Sequence, residues 1–246
     1  MAYEREAETL ARELRKAGAA AALTGAGISA ESGLPTFRSG TGALWRNRDP
    51  MTLATPEAFA RDPALVWEWY RERLHKHRDA KPNPGHIALV ALEHAVPDFT
   101  LVTQNVDGLH TAAGSRDVIE LHGCLRQSRC TRCGKIVPTS TDGELPPRCD
   151  CGALLRPNVV WFGENLPPGA FDRAVDAAAR ANVLLVVGTS AIVHPAAGLV
   201  DVARRYGAFV AEINPEETPA TAICDLSVRV KSGEFLPLVA ALLTVE

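Results

Sequence analysis

The chain has 246 residues, of which 46% are hydrophobic and 22% charged, and its formal net charge is -3. That length suits one large domain, or one domain carrying a smaller insertion, with a substantial buried core. The charge balance supplies no global positive field, and no apolar run approaches the ~18 residues of a membrane span, so neither sequence-specific nucleic-acid binding nor a membrane partner is expected.

The opening residues, MAYEREAETLARELRKAG, read as a charged helix without the apolar stretch of a signal peptide, and a cytoplasmic protein is expected. A short apolar strand, 19–23, then runs straight into GAGISA. Gly25, Ala26, Gly27 and Ala30 fit the pattern G-x-G-x-x-G/A, whose glycines allow a tight turn and close backbone approach to a diphosphate. A glycine turn that merely ends a strand reads the same way. Hydride-transfer enzymes also need an acidic residue about 20 positions on, at the end of a second strand. Here that region is TFRSGTGALWRNRD, which contains no such strand, so a dehydrogenase is not expected.

Residues 45–82 read as short helices between proline-containing turns. A helix at 85–95 leads to the strand FTLVT, 99–103, and then to TQNVDGLH. Because this segment follows a strand, Gln104, Asn105 and Asp107 belong at the carboxyl edge of a sheet, where doubly wound folds bind ligands. Plain turn capping by Asn and Asp is the alternative.

Cys130-x2-Cys133 is followed, after fifteen residues, by Cys149-x-Cys151. Two close pairs give four thiolates and a closed tetrahedral site, the usual form of structural zinc, and metal is favoured over disulfides. The second pair is CxC rather than CxxC, so its turn must differ. Four cysteines complete the ion's shell and leave no place for His122 of ELHG. Cys124 then reads as a free thiol, and Cys224 as a buried apolar residue.

Further along come a helix at 168–181, VLLVVGTS at 183–190, a helix at 196–207, FVAEIN at 209–214 and LSVRV at 226–230. Short apolar strands without alternation, separated by helices, predict an α/β fold: a doubly wound parallel sheet, interrupted by the helical segment 45–82 and the cysteine segment. Gly188, Thr189 and Ser190 end one strand and offer N–H groups and hydroxyls to a phosphate or ribose, as does Asn214 in EINPE.

GAGISAESGLPTFR, TQNVDGLH, ELHG, the cysteine pairs, VVWFGE, GTS and INPE stand in the order found in sirtuins, and the chain resembles that family over nearly its whole length. The resemblance implies a single catalytic domain. Its Rossmann-type core would comprise 1–44, 83–122 and 158–246, with a helical cofactor-loop module at 45–82 and a module at 123–157 holding one structural zinc. NAD would be the co-substrate, and acylated-lysine proteins or peptides the partners. Nicotinamide and O-acyl-ADP-ribose would be released. His122 would be the general base: the acyl oxygen attacks the NAD ribose as nicotinamide leaves, and His122 then takes a proton from a ribose hydroxyl. An imidazole with a pKa of about 6.5 suits that step near neutral pH.

Other roles carry over by position. The stretch from Gly25 to Trp45 would wrap NAD, including Thr36, with Phe37 and Arg38 on a cofactor loop. Gln104, Asn105, Val106 and Asp107 would line the nicotinamide pocket, Asn105 as a second catalytic residue. Gly188, Thr189, Ser190, Asn214, Pro215, Glu216 and Ser232 would hold the phosphate, ribose or adenine end. Val160, Trp161, Phe162, Gly163 and Glu164 would pair with the substrate backbone as an added strand.

LATPEAFARDPALVWEWYRER is similar to class III sirtuins, whose Tyr-x-x-Arg pair recognises acidic acyl groups. Tyr70 and Arg73 match that pair and share a face if helical, and Ala54 matches the small residue that enlarges the acyl pocket. The resemblance thus implies removal of succinyl or malonyl groups, with some deacetylation. A solvated, charge-rich helix face is the competing reading. Two other functions share the same NAD site: a mono-ADP-ribosyltransferase, and a noncatalytic NAD-sensing module, which would need no base at His122.

Overall fold

A computed structural model describes residues 3–36, 49–140 and 142–244. Helix α1, Glu4–Lys16, buries Ala7, Leu10, Ala11 and Leu14 at helical spacing, with Glu4 and Glu6 in its first turn and Arg15 and Lys16 in its last, as the helix dipole favours. Strand β1 is Ala19–Thr24. A 3-10 helical stretch, Ala26–Ser32, follows Gly25.

Two helices come next, α2 (Pro56–Arg61) and α3 (Pro63–Arg78), each with proline in its first turn and a side-chain cap, Thr55 and Asp62 respectively. The sequence predicts only short helices here, but α3 runs for 16 residues. Once Asp62 and Pro63 have started it, no glycine or proline interrupts it before Lys81.

Then follow α4 (Pro84–Ala95), β2 (Asp98–Thr103), α5 (Leu109–Ala113), β3 (Val118–Glu120), β4 (Gly123–Cys130), β5 (Ile136–Pro138) and β6 (Leu155–Val159). The chain closes with α6 (Ala170–Arg180), β7 (Val183–Val187), α7 (Gly198–Arg205), β8 (Phe209–Ile213), β9 (Leu226–Val228) and α8 (Ser232–Thr244).

Among the described residues, six strands form one parallel sheet in the order β3-β2-β1-β7-β8-β9. Successive strands proceed outward from β1 on one side and from β7 on the other, so the topological switch point lies between these two. That is where a doubly wound sheet opens its ligand crevice. Both faces are covered. Ala20 and Ala22 of β1 pack with α1, α4 and α8, whereas Ala21 and Leu23 pack with α6 and α7. A strand buried on both sides has no polar face, which explains the absence of alternation.

The remaining strands form an antiparallel sheet, β5-β4-β6. A separate apolar cluster joins Phe59, Val66, Trp67, Trp69 and Tyr70 of the helical segment to Leu125, Val159 and Trp161. No helix of the described residues is long and apolar enough to cross a membrane.

Candidate active site and metal centre

The crevice at the switch point is built by backbone against backbone. Gly27 N donates to Gly188 O across 2.7 Å, and Gly25 N to Val187 O across 3.1 Å. A Cβ on Gly27 would lie 2.7 Å from Gly188 O, and one on Gly188 would lie 2.4 Å from Ile28 N. Gly188 also has φ +57. The glycines therefore let the β1 and β7 exits touch each other, in addition to any approach to a ligand.

Beside this turn lies a buried polar network of fixed direction. Asn105 Nδ2 donates to Gly25 O (3.1 Å) and to Ser29 Oγ (3.3 Å). Ser29 Oγ donates to Asp107 Oδ2 at 2.8 Å, and Asp107 Oδ1 accepts from Leu109 N at 2.8 Å. His86 Nδ1 accepts from Asn83 N at 3.3 Å, which places its proton on Nε2, 3.5 Å from Ser29 Oγ. His110 packs 4.9 Å from His86, ring to ring, and its Nε2 lies 2.9 Å from Thr24 Oγ1. Burial depresses both imidazoles, His86 to about 4 and His110 to about 3, so both are neutral near pH 7.

His122 sits in the turn between β3 and β4, half-buried. Its Nδ1 is 3.0 Å from the carbonyl of Gln104. A carbonyl only accepts, so Nδ1 carries the proton and Nε2 keeps the lone pair. Burial lowers the His122 pKa, opposed by that hydrogen bond. The side chain of Gln104 turns the other way, donating from Nε2 to Thr189 Oγ1 at 2.8 Å. Asn214 Nδ2 donates to Thr189 O at 2.8 Å. The exits of β1, β2, β7 and β8 are thus tied into one rim, with Ser190 half-buried and Pro215 and Glu216 exposed along it. Such a rim of backbone amides, hydroxyls and carboxamides fits a dinucleotide.

On the helical side, Tyr70 and Arg73 are 2% and 7% exposed, which rules out the solvated helix face. The Arg73 guanidinium lies 4.8 Å from the Trp69 ring centre and 5.4 Å from that of Tyr70. Burial raises the Tyr70 pKa, against the pull of Arg73. Trp161 Nε1 donates to Tyr70 Oη at 2.8 Å. The buried Ala54 contributes its carbonyl, which accepts from Phe162 N at 2.9 Å.

Val160 N is likewise engaged, donating to His122 O at 2.9 Å. Trp161 N donates to Glu164 Oε2 at 2.9 Å, and Glu164 N to Trp161 O at 3.1 Å. Glu164 itself is held by Arg156, whose Nη2 reaches Oε2 at 2.8 Å while its guanidinium stacks 3.4 Å from the Trp161 ring centre.

The sulfur atoms of Cys130, Cys133, Cys149 and Cys151 all lie within 4.8 Å of one another. Cys130 and Cys151 are 3.5 Å apart and Cys133 and Cys149 are 3.7 Å apart. A tetrahedral zinc with bonds of about 2.3 Å needs sulfur separations of about 3.8 Å, so the cluster fits that ion. Backbone N–H groups of Cys133 and Arg132 point at the Cys130 sulfur and favour its thiolate. In the CxC turn Gly152 N donates to Cys149 O at 2.7 Å. Cys124 lies outside the cluster, and Cys224 is half-buried against the α6–α7 core.

The Sir2 family pattern matches residues 25–195. An NAD-dependent protein deacylase of Thermus thermophilus is 52% identical over 236 residues, 94% of this chain and 92% of its own. This chain belongs to the Sir2 family. Another relative named NAD-dependent protein deacylase, from Aquifex aeolicus, is 54% identical over 87% of this chain and 90% of its own. Among solved structures, a Sir2 homologue–NAD complex has a TM-score of 0.89 at 48% identity, covering 96% of this chain and 93% of that one. A Sir2 complex with a deacetylated p53 peptide and 3′-O-acetyl ADP-ribose has a TM-score of 0.86 at 34% identity, covering 95% and 97%.

Within this Sir2 family chain, the fold brings Gly25, Gly27, Gln104, Asn105, Asp107, His122, Gly188, Thr189 and Asn214 to one crevice. Val106 packs toward the Tyr70 cluster. Ala30 is exposed and Thr36 half-buried. Ser232 stands farther off, at the start of α8, with its hydroxyl 3.5 Å from Glu31. Phe37, Arg38 and Trp45 lie outside the described residues. Sequence reasoning passed over Ser29, His86 and Glu212. Ser29 lay within a quoted motif, and Glu212 was visible as a charge inside the apolar run FVAEIN.

Proposed function

We propose that this Sir2 family protein is an NAD-dependent protein-lysine deacylase that removes succinyl or malonyl groups, and acetyl groups as well, releasing nicotinamide and O-acyl-ADP-ribose. The observation that carries the reading is the His122 imidazole, held through Nδ1 with its Nε2 lone pair kept, next to the Asn105–Ser29–Asp107 network. A general base needs that arrangement: a fixed tautomer and a lone pair directed away from the anchoring carbonyl.

NAD, when bound, supplies the ribose carbon that the acyl oxygen attacks. The protein's part is positioning and proton transfer. Asn105 and Asp107 are fixed by hydrogen bonds to Gly25 and Leu109, so they present set groups to the crevice without reorganising. His122 Nε2 accepts the proton. Tyr70 and Arg73, both buried and on one face of α3, offer a hydroxyl and a guanidinium to an acyl carboxylate. The four cysteines complete a zinc's coordination, so that ion is structural and leaves no position for substrate.

The test is one lysine peptide carrying succinyl, malonyl or acetyl, incubated with and without NAD, with products weighed by mass spectrometry. NAD-dependent deacylation with O-acyl-ADP-ribose is expected. An ADP-ribosylated protein would indicate a transferase instead, and absence of turnover a sensing module.

A further inference from the structure

Glu212 occupies an unusual position. It is the penultimate residue of β8 and is 0% exposed. The alternation of β8 puts it on the same face as Val210, toward the α6–α7 core. A carboxylate there is costly unless it is fully hydrogen-bonded. It accepts from Thr218 Oγ1, from Thr221 Oγ1 at 2.6 Å, from Ser227 Oγ at 3.1 Å and from Arg229 Nη2 at 2.8 Å. Despite burial, which pushes its pKa up, these donors hold the carboxyl below its usual value and so keep it ionised.

All four partners lie beyond the end of β8, and two belong to the 214–221 turn. Arg229 extends the grip. Its Nη1 donates to Asn214 O at 3.1 Å and to Glu216 O at 3.0 Å, while Nη2 also reaches Thr221 Oγ1 at 2.9 Å. The first and last residues of the turn are therefore tied to one ion pair, of a buried carboxylate with a half-buried arginine. Asn214, at its start, is the residue whose side chain bridges to Thr189 O.

We propose that Glu212, with Arg229, is a positioning residue that fixes the 214–221 turn as one wall of the crevice and thereby sets the affinity for the adenosine side of NAD. This rests on the NAD reading above. A carboxylate kept only for stability could be bonded by any neighbours. This one bonds the turn, strand β9 and the arginine that holds the turn's carbonyls.

The experiment compares wild type with Glu212→Gln, Thr218→Val and Thr221→Val, by steady-state kinetics in NAD and by calorimetric titration with ADP-ribose. Each threonine variant removes a single hydroxyl and leaves the carboxylate its other donors, while also removing an acceptor inside the turn, for Ala220 N at Thr218 and for Thr218 N and Arg229 at Thr221, so the turn is loosened. We expect KM for NAD and the ADP-ribose Kd to rise together, ~3- to 10-fold for the threonine variants and more for Glu212→Gln. We also expect kcat at saturating NAD and KM for peptide to stay within about twofold of wild type. If Glu212→Gln fails to fold, the threonine variants decide. Unchanged KM for NAD with a lower kcat or melting temperature would overturn the proposal in favour of a purely structural carboxylate. A wild type that neither turns over with NAD nor binds ADP-ribose would overturn the NAD reading itself, and this proposal with it.

Discussion

Trp161 and Tyr70, 91 residues apart in sequence, are joined by a 2.8 Å hydrogen bond from the indole Nε1 to the phenol oxygen. The bond ties α3 to the segment that follows β6, so the face proposed to select the acyl group and the candidate substrate strand form one unit. The phenol accepts in this bond, and its own proton is left to donate.

The first prediction concerns acyl choice. Arg73→Met should cost desuccinylation ~2–5 kcal/mol in kcat/KM, the range for breaking a desolvated charge pair, and should leave deacetylation little changed. Tyr70→Phe should act in the same direction with a smaller effect, since it removes one hydroxyl donor to the carboxylate and leaves the guanidinium in place, while the loss of the Trp161 Nε1 acceptor falls on both substrates alike. Both are measured as kcat/KM on one peptide carrying succinyl or acetyl lysine. Equal losses on the two substrates would assign the pair to the fold instead.

For His122, replacement by alanine should preserve NAD binding and reduce deacylation by ~10²–10⁴-fold, the usual contribution of a general base. Its pKa is lowered by burial, so the neutral base persists to more acidic pH than a free imidazole. The acid limb of the kcat/KM profile should accordingly fall below about pH 6.5. A limb centred above that value, or near-normal turnover by the alanine variant, would contradict the assignment.

The neutral pair His86 and His110 predicts acid sensitivity of the fold. Burial holds them at about 4 and about 3, below the ordinary imidazole value of 6.5. The unfolded chain therefore binds protons first as pH falls, and stability is lost as pH drops from 6.5 toward 4. The limiting slope is about 1.4 kcal/mol per pH unit for each histidine. Melting temperature measured between pH 7 and pH 4.5 should decline over that window, and a flat profile would rule out buried neutral imidazoles.

Metal loss should act through structure. At its cysteine end the β5-β4-β6 sheet has a small apolar cluster of Cys130, Cys149 and Leu155, with Val137 and Ala153 packed against it, too little to hold that end by itself, whereas Leu125 and Val159 at the other end pack into the Tyr70 cluster. One zinc per chain is expected by elemental analysis. Chelation or Cys130→Ala should expose the amides of 130–138 and 149–155 to hydrogen exchange before those of the parallel sheet. Unaltered protection after complete metal removal would refute the structural role.

The parallel core was legible in the sequence because both of its faces are buried. Runs such as FTLVT and VLLVV have no polar side to hide them. The edge strand Val118–Glu120 was missed: three residues, one of them charged, carry no pattern. Around α3 composition alone favours the competing solvated reading, since WYRERLHKHR is charge-rich, and only the resemblance singles out Arg73, which is buried over two aromatic rings. The stacking of Arg156 on Trp161 and the anchoring of Asn105 on Gly25 were not readable either, because each depends on which loops the sheet order brings together. Short motifs named the residue types, and only the topology could pair them.

The meeting of Gly27 with Gly188 limits the mutations this protein can accept. An added methyl at either position would run into the other loop's main chain, at 2.7 Å in one direction and 2.4 Å in the other. A clash between side chains can be repaired by trimming the neighbour. Here the neighbour is already the smallest residue, and what it presents is backbone. No second-site suppressor at the partner position is available, so the two glycines should behave as a locked pair in saturation mutagenesis, both intolerant and neither able to rescue the other.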